Sequence, residues 1–326
     1  MLQWSWVAFW PKEDMQKTLK KYMLENGQTF FRKSKDGRKL RIAIWKTPKK
    51  KVNGTVFFLN GHREFIEKYS ETFEFFIRKG FNVITLDWRG WGLSERPFPS
   101  KPKIQHISSA REYQLDLDNV ISLAKETALT TPWYLVAHSL GCLLGLRRLT
   151  SEPLSFERYI FLSPLWGSFP NVPKTIQRFS LKFEKTLRFL GLTMLTEQSP
   201  EKYKPYSLTV DFKKNTLTSD VKQFKRLQTI LRENKNLHSG TPTLGYFIEI
   251  LKEIDSLNHI NIPDRKILVL LAEQEQITDN NAAKKLIERF DFIDLITIKE
   301  SQHEILIEKE KIRKKALSSI QTFLKS

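Results

Sequence analysis

Cysteine is nearly absent from this chain. Cys142 is the only one in 326 residues, so no intrachain disulfide can form, which suits a reducing compartment. No uninterrupted apolar run approaches the about 20 residues that a membrane-spanning helix needs. Internal repeats and low-complexity tracts are lacking, and a hydrophobic share of 40% with 12% aromatics excludes a disordered chain. Neither a phosphate-loop Lys-Ser/Thr ending nor a GxGxxG segment occurs, which leaves nucleotide binding without support. No His/Cys group has metal-ligand spacing, so no catalytic metal and no other cofactor is expected. The apolar, aromatic start, Met1 to Trp10, has no basic leader and no small-residue cleavage site, and it runs at once into Pro11, Lys12, Glu13 and Asp14. No signal peptide is expected there. Trp4, Trp6 and Trp10 are suited to packing on the domain or to lying at a membrane interface.

Positive charge is what the chain has in excess: 54 Lys and Arg against 36 Asp and Glu, a net +18. Such a field favours anionic partners. No nucleic-acid motif accompanies it, so no specific nucleic-acid partner is expected. A cytoplasmic protein with peripheral contact at an anionic membrane face is the expectation. Between residues 170 and 240 stand 14 Lys or Arg against 6 Asp or Glu, so nearly half of the excess charge lies in under a quarter of the chain. Composition does not address oligomeric state.

Short β-branched, apolar runs at Leu40–Trp45, Thr55–Leu59, Phe81–Asp87, Trp133–His138, Tyr159–Leu162, Lys266–Ala272 and Phe292–Ile298 read as strands. Helical spacing falls between them at Glu64–Lys79, Ala110–Thr127, Leu140–Thr150 and Asn280–Phe290. This alternation predicts an α/β fold with a mostly parallel central sheet covered by helices on both faces. The pattern breaks between about Ser163 and Asn261. That stretch is rich in helical periodicity (Val221–Glu233, Leu244–Ile254), Lys and Pro, and shows no buried strand. The expected organisation is an N-terminal aromatic segment (1–28), a core from 29–163 and 261–326, and an inserted helical cap, 164–260.

Ala137-His-Ser139-Leu-Gly141 follows an apolar strand and opens an apolar-periodic helix. A serine nucleophile needs this strand–turn–helix context, with small residues two before and two after to let strand and helix approach. Ala137 and Gly141 supply them. The helix from Leu140 directs its first amides at the turn, and the Leu140 N–H is the expected first donor to an oxyanion. Asn60-Gly61-His62 ends another strand, and the His62 N–H is the expected second donor. Glu64 is placed either to brace that loop or to start the next helix. Asp87 and Arg89, in the Gly-rich turn Asp87–Ser94, are expected to hold loops beneath the nucleophile. His303 follows the last strand and suits a general base. An acid is expected on the loop after the strand Lys266–Ala272, where Glu273, Glu275 and Asp279 are candidates. The chain order serine, acid, histidine is that of a strand-turn-helix hydrolase site.

These segments resemble the lysophospholipase L2 and monoacylglycerol lipase family of α/β-hydrolases over most of the chain from about residue 29. Asn60 to Tyr69 looks like the family's oxyanion segment with its trailing Glu and Glu-Lys-Tyr. Asp87-Trp-Arg-Gly-Trp-Gly-Leu-Ser94 looks like its Asp-x-Arg-Gly-x-Gly-x-Ser motif, and His303 to Glu308, followed by Arg313, is similar to its histidine segment. Leu217-Thr-Ser-Asp220 and Pro242-Thr-Leu-Gly245 resemble cap features. The chain departs where Ala137 replaces the family's first Gly and where Glu275 stands in place of its usual Asp. Asp279 falls where a second Asp is frequent. The resemblance implies the α/β-hydrolase fold and hydrolysis of a carboxylic ester in a lysophospholipid or a monoacylglycerol; another α/β-hydrolase activity (small-ester esterase, acyltransferase or serine aminopeptidase) and a non-catalytic binding protein are the alternatives. It implies Ser139, His303 and Glu275 as the reacting groups, with Asp279 the alternative acid. It implies oxyanion contacts from His62 and Leu140, and support from Gly61, Glu64, Asp87, Gly141 and Asp279.

Overall fold

The computed structural model describes residues 21–153, 155–196 and 198–325. Most of the N-terminal aromatic segment, including Trp4, Trp6 and Trp10, lies outside the described residues. Among those described, one sheet carries eight strands in the order β1-β2-β4-β3-β6-β7-β9-β10. These are β1 (Gln28–Lys33), β2 (Lys39–Trp45), β3 (Thr55–Leu59), β4 (Asn82–Asp87), β6 (Trp133–His138), β7 (Arg158–Leu162), β9 (Lys266–Ala272) and β10 (Ile293–Ile298). The first two pairings, β1 with β2 and β2 with β4, are antiparallel, and all others are parallel. Two-residue strands, β5 (Ile104–Gln105) and β8 (Thr241–Pro242), pair separately.

Alternation of side chains along a strand builds two cores at once. Phe57 and Leu59 of β3 enter one cluster while Val56 and Phe58 enter the other. Parallel strands need crossover connections, and helices provide them. The helices α2 (Arg111–Glu126) and α3 (Leu140–Ser151) cover one face through Tyr113, Leu117, Val120, Leu143 and Leu146. α1 (Ser70–Arg78) and α10 (Glu310–Lys325) cover the other through Phe73, Phe76, Leu317 and Ile320. The helix expected from Glu64 begins later: Glu64 and Phe65 are loop, Ile66–Tyr69 is one 3-10 turn, and α1 starts at Ser70.

Between β7 and β9 the chain leaves the sheet and forms α4 (Lys174–Lys182), α5 (Glu184–Phe189), α6 (Tyr206–Thr209), α7 (Val221–Glu233) and α8 (Leu244–Ser256). Helix α9 (Asn280–Ile287) then precedes β10. The insertion is not wholly without strand. Thr241, fully buried, pairs with Ile104 and ties the insertion to the loop after β4. Two further ties reach the His303 loop: Glu304 N–H donates to Leu217 O at 2.8 Å, and Thr218 Oγ1 donates to Ile307 O at 2.8 Å.

From β3 the chain steps to β4 on one side, and from β6 it steps to β7 on the other. The crossovers therefore diverge between β3 and β6. The carboxyl ends of parallel strands at such a divergence form a crevice where ligands bind. Leu59 of β3 lies opposite Ala137 of β6, so the turns carrying Gly61 and Ser139 are neighbours.

Candidate active site

Ser139 joins β6 directly to α3 with φ 52° and ψ −116°, a left-handed conformation that an L residue adopts only when its surroundings impose it. Its amide donates to Leu162 O at 3.0 Å, and its carbonyl accepts from Cys142 N at 3.0 Å and Leu165 N at 3.2 Å. Gly141 is needed for this approach. A Cβ there would sit 2.3 Å from Leu59 O, a backbone atom with no freedom to yield. Cys142 packs inward, its Sγ near Ala137 O and Leu162 O, and burial pushes its thiol pKa well up. It is a core residue.

The structure brings Ser139, His303 and Glu275 together. His303 Nε2 lies 3.1 Å from Ser139 Oγ, and Nδ1 lies 2.7 Å from Glu275 Oε2. The other carboxylate oxygen of Glu275 accepts from the amides of Ile277 at 2.7 Å and Thr278 at 3.1 Å. Burial alone pushes this carboxyl up, but His303 and the two amides outweigh it and hold the group at about 2. Glu275 is therefore a fixed anion aimed at one ring nitrogen. The alternative acids serve elsewhere. Asp279 caps α9, accepting from Asn281 N at 3.1 Å and Ala282 N at 3.0 Å. Glu273 accepts from Glu300 N at 2.8 Å.

Gly61 and His62 stand against the serine turn. A Cβ on Gly61 would lie 2.9 Å from Ser139 Cβ, so only glycine fits. The Leu140 amide opens α3, where helix geometry leaves N–H groups without intrahelical partners. The His62 ring is wedged edge-on to Trp91 at 5.2 Å and stacked on Tyr246 of α8 at 5.4 Å. Burial, with Arg63 beside it, holds its pKa well below the usual value, so this imidazole is neutral.

Asp87 grips three strands of chain. It accepts from Arg41 Nε at 2.6 Å, Ile66 N at 3.0 Å and Leu93 N at 2.7 Å, while Arg41 also pairs with Glu67. Gly92 takes φ 50° against it, with no room for a Cβ, which would overlap the carboxylate at 2.0 Å. Arg89 does the same for a second set of elements, binding Asp116, Asp36 and Glu112.

Beside Ser139 and His303 lies a buried cluster whose assembly the sequence did not announce. Glu64 braces the loop by accepting from the Gly61 amide and from Tyr69 Oη at 2.9 Å, and contacts His138 Nδ1 at 3.0 Å. Lys68 Nζ bonds Glu64 Oε1 at 2.7 Å and also Glu304. His138 Nε2 faces the carbonyl of His303 at 3.2 Å, and Ser163 Oγ donates to that carbonyl at 2.7 Å. Burial works against charge on His138, yet the carboxylates of Glu64 and Glu304 raise its pKa. Burial likewise pushes Glu64 up, but Lys68 and His138 hold it well below the usual carboxylate range. Glu64, His138 and Glu304 converge closely enough to resemble a metal site. The cationic place between the two carboxylates is already taken by Lys68. The cluster joins the Gly61 turn, β6 and the His303 loop into one unit. Its members are 64, 68, 138 and 304, too far apart in sequence for spacing to link them. The one local signal was the Glu-x-x-x-Lys step on a single turn.

Comparison with known proteins bears on family and fold. A family profile described as serine aminopeptidase, S33 (Hydrolase_4), matches residues 50–310. The "Probable lysophospholipase L2" of Haemophilus influenzae is 27% identical over 279 residues, covering 85% of each chain. Lysophospholipase L2 of Escherichia coli K12 is 24% identical over 81% of this chain and 78% of its own. Among solved structures, a soluble variant of monoglyceride lipase from Saccharomyces cerevisiae superposes with TM-score 0.71 at 17% identity, over 92% of this chain and 96% of that one. The monoacylglycerol lipase of Paleococcus ferrophilus gives TM-score 0.67 at 19% identity, over 87% and 98%. The chain belongs to the Hydrolase_4 family and has the α/β-hydrolase fold.

Proposed function

We propose that this chain is a carboxylic ester hydrolase that cleaves single-chain acyl esters, lysophospholipids or monoacylglycerols, through an acyl-enzyme on Ser139. The observation that carries the reading is the continuous chain from Ser139 Oγ through His303 to a buried, amide-anchored Glu275 carboxylate. His303 Nε2 takes the serine proton as Oγ attacks the acyl carbonyl, and Glu275 fixes the tautomer that leaves Nε2 free to accept. The imidazolium so formed protonates the leaving alcohol. Water then enters, gives a proton to the same nitrogen and releases the acid. Amides of Leu140 and His62 receive the oxyanion, each contributing roughly 3 kcal/mol if they act as such donors elsewhere do. Family relatives named for lysophospholipid and monoglyceride hydrolysis support a lipid ester as substrate.

Residues 164–260 act in this reading as a cap that meets the lipid surface. Helix α4 is turned inside out: it buries Gln177 and Ser180 and exposes Ile176, Phe179 and Phe183. Phe189 at 89% and Leu195 at 58% exposure are further exposed apolar side chains of the insertion. Lys182 and Lys185 flank it, and each cation close to an anionic bilayer contributes about 1 kcal/mol. Among the described residues no helix is long and apolar enough to cross a membrane. The test is product analysis with lysophosphatidyl lipids, monoacylglycerols, short esters and aminoacyl amides, beside Ser139→Ala. Release of fatty acid from the lipid esters, lost in the variant, is expected. Preference for the amides would overturn the lipid reading.

A further inference from the structure

A cavity of about 470 Å³ opens between α4 and α8 of the insertion and α9 of the core. That volume lies in the range of about 300–1,000 Å³ typical of small-molecule sites. Neither Ser139, His62 nor His303 lines it. Its inner wall is apolar, made by Trp166, Leu181, Leu251, Leu257 and Leu286. Its rim is cationic. Lys174 and Arg178 stand one turn apart on α4, and Lys285 and Arg289 one turn apart on α9 and just past its end, with Asp255 the one acid among the lining residues.

Like charges four apart on a helix destabilise it, so Lys174 and Arg178, in the first turns of α4, are not placed there by helix stability. Among the described residues no carboxylate pairs with Lys174, Arg178 or Lys285. Arg289 donates to Leu257 O at 2.9 Å and Ile260 O at 2.6 Å and lies over the Phe290 ring at 5.3 Å, and among the described residues no carboxylate pairs with it. Gln177 is already committed to Phe169 and Val172, so it competes for none of these cations. On the wall, Trp166 is 3% exposed and its buried indole N–H has no hydrogen-bond acceptor among the described residues. The outer side of α4 carries the exposed Ile176 and Phe179, so the rim and that apolar face belong to one helix.

We infer that this cavity is a second lipid site, separate from Ser139, which takes a single-chain anionic amphiphile with its carboxylate or phosphate head at the Lys174, Arg178 and Lys285 rim and its chain on the leucine wall. The site follows from the cavity itself and does not depend on the ester hydrolase reading.

Photolabelling with a palmitate carrying a chain-terminal diazirine tests it. Adducts are expected on peptides containing Leu181, Leu251 or Leu286. Dodecanoate and dodecyl phosphate should compete. Arg178→Gln with Lys285→Gln should lower labelling about tenfold, from two charge contacts of modest strength each. Leu251→Trp, which fills the cavity and leaves every charge in place, should lower it as much. Hydrolysis of a water-soluble p-nitrophenyl ester, and the melting temperature, should hold in the charge variant. Adducts confined to peptides around Ser139 would overturn the site. Competition by dodecanol equal to dodecanoate would overturn the anionic rim. Competition by inorganic phosphate equal to dodecyl phosphate would overturn the amphiphile.

Discussion

Replacing Glu275 with Gln removes one charge and almost no volume, and the structure says how the amide would settle. Oε1 of Glu275 accepts from two backbone amides, Ile277 and Thr278. The carbonyl oxygen of Gln must keep that place, because an NH2 there would face two donors. Its NH2 then points at His303 Nδ1 and donates, which forces the ring proton onto Nε2, the nitrogen that has to accept from Ser139. Two losses combine. The carboxyl is held at about 2 against an ordinary 4.5, so interactions favouring its charged form amount to about 3 kcal/mol, or a few hundredfold in rate if the same attraction stabilises the imidazolium. The wrong tautomer adds to this. A total fall in kcat of about 10⁴ is expected, the size seen when a triad Asp becomes Asn. Glu275→Asp keeps the charge but shortens the reach, and should fall about 10- to 100-fold. Asp279→Asn is the internal control. It touches only the start of α9, so kcat should stay within about threefold and stability should fall by up to about 1 kcal/mol. The assay is initial rates on a soluble p-nitrophenyl ester with each variant's melting curve. Glu275→Gln within tenfold of the parent, or Asp279→Asn as damaged as Glu275→Gln, would refute the reasoning.

Gly61→Ala places a methyl group 2.9 Å from Ser139 Cβ, so ester hydrolysis should fall at least about 100-fold, with about 1–3 kcal/mol lost in chemical denaturation. His62→Ala spares the backbone amide and should keep kcat within about tenfold, read in the same assay. Lys68→Met leaves Glu64 and Glu304 buried against each other and should destabilise by about 3–5 kcal/mol at pH 7. Because Glu64 is held below its ordinary value, its stabilisation is complete above about 4.5 and lost as pH falls, so the gap in melting temperature between Lys68→Met and the parent should narrow below that pH. Glu275 obeys the same sign. Its contribution of about 3 kcal/mol is present above about pH 4.5 and lost as pH falls toward 2, a slope that Glu275→Gln should flatten in acid denaturation. Phe179→Asp with Phe189→Asp should abolish co-sedimentation with anionic vesicles and spare hydrolysis of the soluble ester.

The central strands were legible because each is buried on both faces and so runs without a polar break, as in Thr-Val-Phe-Phe-Leu of β3. Strand β1 was not. Gln28–Lys33 is an edge strand with mixed, half-exposed side chains, and its place is set by pairing with β2, which no local pattern announces. The places of Ser139 and His303 just past strand ends could be read from context, since each follows an apolar strand. The acid could not be chosen by spacing. Glu275 and Asp279 share one loop, and what separates them is which carboxylate the amides of Ile277 and Thr278 hold toward His303. The Leu217–Asp220 motif was visible as a pattern, while its purpose, anchoring the insertion on the His303 loop, needed the fold. The inverted polarity of α4 was likewise hidden. Its periodicity is ordinary, and only its packing reveals that the apolar side faces out.

Ser139 carries the acyl group in this account, and rapid-quench intact-mass analysis during turnover of a monoacylglycerol observes that directly. The account predicts a transient mass increase equal to one fatty acid less water, mapped to the peptide holding Ser139 and absent in Ser139→Ala. Full turnover with no adduct, or turnover that survives in Ser139→Ala, would contradict it.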